Sequence, residues 1–444
     1  ALLLAGEHQR VVSTEAAQAL SLAEAIADHK RAFRACLLAM KGLSMYFSIM
    51  MASEEAVQWA ARADRYAESE TIERAWADAM LGYAKASAGS SREGVGLFRR
   101  ALDLARRLED PDTYWWIAGF WVWVVAAPQH EEEQLRLAEE LVEKSRAGVN
   151  VLIVGLGLWA AMHTLLQFGQ RRRAEGVMAE MRAIAERSGQ PYVLILSMLN
   201  DAILAGYDGR LEQIPAIRRS ILTRAEELGV LEFAILWTTW TIPVRVYLGD
   251  AGRALESVLQ GVRNLPRNVA GEMTILFCLA HLGRYAEVTE TLNRWVVARP
   301  SIGSAEDETP LSQDIISLEA AVLAGHRQAA ELLLRRLAAS RSATTGIAFH
   351  QCVSHRLGTA AALLGRADEA RKYYQEAIKV CTDMRYRPQL ALTRLQLAEL
   401  LLEHYPDEKK DALEHLDFAI KEFQDMKMQP SLERALRHKE ILKA

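Results

Sequence analysis

Apolar positions along the chain recur at helical spacing, and no stretch shows the strict alternation of a half-buried strand. The pattern is sharpest from Arg356, which reads RLGTAAALLGRADEARKYYQEA. Leu357-Gly358 opens the packing face of a first helix. Gly365 ends that helix, because glycine accepts the left-handed conformation of a C-cap. Arg366-Ala367-Asp368 turn the chain, and Asp368 and Glu369 suit the first turn of a second helix. Ala370, Tyr374 and Ala377 then share one face at i, i+4 and i+7. Small residues flanking one bulky residue let the second helix sit close to the first.

The same arrangement recurs. Leu81-Gly82, Gly89, Phe98 and Ala101 repeat it at equal spacings. The residue opening the tight face of each second helix falls at Ala16, Ala56, Gly94, Gln134, Ala174, Ile214, Ala254, Val288, Ala330, Ala370 and Ala412. The intervals are 40, 38, 40, 40, 40, 40, 34, 42, 40 and 42 residues. Gln134 and Ile214 fit the small-residue rule poorly and leave the register there open by one or two positions. A forty-residue helix pair cannot bury its apolar stripe alone, whereas stacked pairs bury a continuous core. The prediction is an all-α fold, an α-solenoid of about eleven antiparallel helix pairs. Residues 1–425 form the array, entered mid-repeat, and 426–444 form a C-terminal capping helix with a charged outer face.

Leu357-Gly358, Gly365, Ala370, Tyr374 and Ala377, with the weaker set at Leu81–Ala101, resemble tetratricopeptide repeats. The forty-residue period departs from that family's 34 and looks more like the long-helix variety in the sensor arrays of STAND-type signalling ATPases, including the bacterial maltose-regulon activator. Asp383–Pro388, Leu397–Leu401 and Phe423–Met428 are similar to the C-terminal ends of bacterial ATPase- and cyclase-linked regulators. The resemblance implies a right-handed superhelix whose concave face binds a protein, a peptide or a small effector.

Composition narrows the field. The net charge of -4 over 444 residues carries no basic surplus for nucleic acid. The four cysteines are isolated, which speaks against a disulfide framework or structural zinc and suits a reducing, cytoplasmic setting. The opening ALLLAGEHQR shows no basic-then-apolar signal pattern and reads as the interior of something longer. Tyr114–Ala127 is too short to span a bilayer, and Val151–Phe168 is broken by His163, Thr164 and Gln167, so no membrane partner is expected.

Motifs for chemistry are absent. No GxxxxGK[ST] occurs, and Gly155-Leu156-Gly157 lacks the strand–turn–helix context of a dinucleotide site. His350 and His355 are five apart, out of register for one metal on one helix, so Cys352 is read as packing and the histidines as exposed or capping. No nucleophile elbow appears. The acids after His130 start a helix, and Arg171-Arg172-Arg173 read as a solvated turn. No cofactor and no metal are expected.

Aromatics remain. Trp116, Phe120 and Trp123 share one helix face, while Trp115 and Trp121 point elsewhere. Carrying the register forward adds Trp159, His163, Asn200, Tyr207, Trp240 and Tyr247 in the layer of first helices. Large rigid side chains there are suited to anchor a partner. The expectation is a non-enzymatic binding or sensor module, the C-terminal part of a signalling or regulatory protein, docking a protein, peptide or small effector on the concave face. A rigid assembly scaffold is the second reading. An all-helical enzyme is the third, and it requires an acid or cation cluster that the sequence does not show.

Overall fold

The computed structural model describes residues 10–44, 51, 53–262, 269–347 and 351–441. His350, the opening residues 1–9 and residues 442–444 lie outside them. Among the described residues every regular element is a helix, and one isolated antiparallel bridge joins Thr344 to Cys352.

The helices form an α-solenoid of antiparallel pairs. First helices such as Ile72–Ser87, Val151–Gln167, Val353–Leu363 and Arg387–His404 each pack on the second helix that follows. First helices also pack on one another, as Pro111–Val124 does on Val151–Gln167. All eleven register residues, from Ala16 to Ala412, lie in second helices and are buried. Gln134 occupies the small-residue position without a clash, because its Nε2 donates to the Val122 carbonyl of the first helix at 2.9 Å.

Local chemistry explains the ends. Asp110 caps Pro111–Val124 by accepting from the Thr113 amide, with Pro111 in the first turn. Gly365 sits at φ +79°, where an L side chain is strained, and Arg366 N–H closes the turn on the Ala361 carbonyl at 2.9 Å. Gly358 faces the Tyr374 ring so closely that an added Cβ would lie 2.6 Å from it. Ala370, Tyr374 and Ala377 are buried beside it.

A second set of contacts does not follow from the period. The turns that end first helices in the middle of the chain dock on the turns that begin first helices near its end. Leu311 N–H donates to the Ala126 carbonyl, and Ala343 and Thr344 N–H both donate to the Gln167 carbonyl. Glu131 is buried and accepts from the Ser340 hydroxyl, the Arg341 amide and the Ser342 hydroxyl at 2.5–2.7 Å. Arg171 donates to the carbonyls of Met384 and Arg385 and to Asp208. Apart from Arg171 with Asp208, these partners stand 176 to 214 residues apart, so one stretch of the coil rests directly on another. Arg171 is therefore buried in the first turn of helix Arg171–Ser188, which corrects the reading of a solvated turn. No helix among the described residues is long and apolar enough to cross a membrane.

Candidate docking surfaces

The helix Pro111–Val124 organises the aromatic residues. Trp116 stacks on Phe120 with ring centroids 4.1 Å apart and meets Trp76 at 4.5 Å. Phe120 meets Tyr83 edge-on at 5.4 Å. Lys41 Nζ lies 4.1 Å from the Trp76 centroid, a cation–π contact that closes this end of the cluster. Trp123 leads the other way, to His163 at 4.9 Å and Trp237 at 6.0 Å. Trp237 continues to Trp159 at 5.4 Å.

Burial divides the set read from the sequence. Phe120, Trp123, His163 and Trp240 are half-buried and present part of their surface. Trp116, Trp159, Asn200, Tyr207 and Tyr247 are interior. Trp115 and Trp121, set aside as pointing elsewhere, are fully buried. Neither amide atom of Asn200 finds a hydrogen-bond partner among the described residues. The two tyrosines lie at the ends of their first helices, where stretches of the coil meet. Tyr207 donates to the Gly346 carbonyl at 2.8 Å, and Tyr247 accepts from Gln351 at 3.0 Å. They close the inside of the coil rather than line an open groove.

His163 meets the same later stretch. Ile347 N–H donates to its Nδ1 at 3.2 Å, so the ring proton sits on Nε2. A Cβ on Gly346 would fall 2.5 Å from the ring. Burial pushes the His163 imidazole down to about 4 and keeps it neutral.

Sequence reasoning missed a buried polar network in the later units. Arg356 pairs with Glu319 at 2.8 Å, and His281 meets the same carboxylate at 3.1 Å. Burial opposes ionisation of Glu319, yet Arg356 and His281 hold its carboxyl below the ordinary value. His355 lies between the side-chain oxygens of Gln389 and Gln396, each at 2.8 Å. The expected exposed or capping role for His355 is thus corrected: the ring is fully buried, and burial followed by Arg356 pushes it down to about 4. Arg299 and Arg336 both bridge Asp307 and Asp314 at 2.5–3.3 Å. The members of these clusters are spread over separate units, so no local motif announces them. Among the described residues no three His, Cys, Asp or Glu side chains gather as metal ligands. The four cysteines are free and buried.

No family model matches the chain, and no curated protein matches it. Among solved structures, the crystal structure of the APC/C hetero-tetramer Cut9-Hcn1 is similar at a TM-score of 0.35 and 11% identity, over 98% of this chain and 99% of that one. A likeness at that score carries no argument, and the fold stands on the helix pairing itself.

Proposed function

We propose that this chain is a non-enzymatic docking module that binds a protein or peptide through the half-exposed aromatics of its first-helix layer. The carrying observation is the continuous aromatic cluster in which Phe120 and Trp123 keep exposed surface while their neighbours hold them rigid. A rigid aromatic loses little conformational entropy on binding and buries much area. The tetratricopeptide resemblance supports the same class. The proposal takes residues 1–425 as the array and 426–444 as its cap, in a cytoplasmic setting and within a larger signalling or regulatory protein.

Within that class the bonds between stretches of the coil favour a rigid scaffold over a springlike sensor. A sensor needs two curvatures and a ligand with different affinity for each. A change of curvature here would strand Arg171 and Glu131, both buried and bonded across the coil. Unpairing a buried charge is strongly unfavourable.

The test is a displayed peptide library selected on the intact chain, with the enriched peptides titrated against wild type and the Phe120→Ala/Trp123→Ala variant. Peptides should bind the variant at least about tenfold more weakly, the scale expected for loss of a hot spot, with matching helical content in both proteins. Equal affinity for both overturns the aromatic docking surface.

A further inference from the structure

The second helix Ile214–Glu227 is flanked on both sides by open grooves. On one side lies a cavity of about 180 Å³ with an apolar floor of Ile214, Leu222, Val244 and Leu248. Arg218, Arg219 and Arg245 stand in its wall, and no acidic residue lines it. On the other side a shallower groove runs past Leu194, Met198, Ala216 and Thr223. Its charged members are Arg219, Arg224 and Glu227, of which Arg224 and Glu227 pair with each other at 2.6 Å.

The first groove opens because the facing first helix is interrupted. Leu231–Trp237 packs on Ile214–Glu227, but the chain then passes through a 3-10 turn at Thr239–Thr241 and resumes as Ile242–Tyr247, packed on later helices. Thr238, Thr239 and Thr241 hydroxyls donate to the carbonyls three residues back, at 2.7–3.0 Å. Such bonds compete with the helical ladder, and Pro243 has no N–H to restore it.

The positive charge in this groove is poorly matched. Arg218 is half-buried, and its one side-chain hydrogen bond among the described residues is to the neutral Thr238 hydroxyl at 3.3 Å. Arg219 is exposed and makes no ion pair with a described residue. Arg245 comes no closer than 3.8 Å to Asp250, which Arg253 approaches at the same distance. Burial, with the neighbouring Arg245 charge, holds the Arg218 guanidinium below its ordinary value.

We propose that this surface docks an acidic peptide segment that crosses helix Ile214–Glu227 with one apolar side chain in each groove and carboxylates on Arg218, Arg219 and Arg245. Residues 214, 215, 218, 219 and 222 face one groove, residues 216, 219, 220, 223 and 224 face the other, and Arg219 stands on the crest between them. A helix is about 10 Å across, and an extended chain advances about 3.3 Å per residue. The two apolar anchors therefore lie about three or four residues apart, with the acidic residues between them. Guanidinium groups recognise such carboxylates in paired hydrogen bonds. This site is separate from the aromatic surface and stands or falls without it.

The test uses the full chain and a fluorescein-labelled dodecapeptide carrying two leucines separated by three glutamates, with a lysine-for-glutamate peptide and laurate as comparison probes. The glutamate peptide should bind, lose at least about tenfold in affinity in Arg218→Gln/Arg219→Gln, and weaken as salt rises. Arg219→Glu tests the same point at an exposed position that makes no ion pair with a described residue. The Phe120→Ala/Trp123→Ala variant should bind this peptide unchanged. Equal binding of the two peptides, undiminished binding by Arg219→Glu, or displacement of the peptide by laurate in an arginine-dependent way would overturn the proposal.

Discussion

The pair around Leu357–Ala377 and the unit from Leu211 to Leu248 are built from the same forty-residue plan and pack quite differently. In the first, Gly358 lets Tyr374 against the backbone, and the second helix buries Ala370, Tyr374, Ala377 and Cys381 on one face. In the second, the helix starts at Ile214-Pro215 and buries only Ile214, Ile221 and Ala225. The broken partner helix leaves one flank of Ile214–Glu227 uncovered. The comparison shows that a continuous partner helix closes a face of this solenoid. A surface able to receive a partner arises where that helix breaks.

The largest expected effect comes from the contacts that join distant stretches of the coil just ahead of the loose unit. Arg171→Ala removes the bonds to Asp208 and to two carbonyls of the later stretch. It should cost about 3 kcal/mol in urea unfolding and speed hydrogen exchange of the amides near Tyr386. Unchanged exchange there would mean that the stretches do not depend on one another. Next, Gly358→Val should cost about 2–3 kcal/mol by overpacking against Tyr374, read as a lower denaturation midpoint. A loss under about 0.5 kcal/mol, the range of a surface substitution, would show the tight pair to be no tighter than its loose counterpart.

A smaller effect is tied to pH. His163 has a folded-state value of about 4, below the ordinary 6.5 of an unfolded histidine. Between these values the unfolded chain binds more protons, so stability is full above about pH 6.5 and falls as pH drops toward 4. The melting temperature of His163→Gln should fall less steeply than wild type over that window. Parallel curves would remove histidine burial from the account. Smallest of all, Ala216→Val on the open groove should leave unfolding within about 0.5 kcal/mol of wild type, which a denaturation curve checks directly.

Much of the fold was legible because it is local. Gly365, Ala370, Tyr374 and Ala377 act on neighbours within one pair, and their spacing carries that information directly. The site was less legible. Helical spacing placed Phe120 and Trp123 on one face, and both keep exposed surface. The same spacing placed Tyr207 and Tyr247 in that layer, where they close the interior of the coil. Spacing reports which face a residue occupies, not what arrives to cover it. Arg171 illustrates the point: three successive arginines read as a solvated turn until Met384 and Arg385 come to rest on the first of them.

Local sequence encodes the helix pairs, their period of about forty residues and the mostly small-residue face on which they close. These depend on backbone propensity, capping and contacts between residues near in the chain. Which stretches of the coil meet, which aromatics stay half-exposed and where a groove is left open follow from packing between pairs far apart in the chain. Those outcomes depend on the accumulated rotation from pair to pair, through which residues about 200 apart are brought into contact.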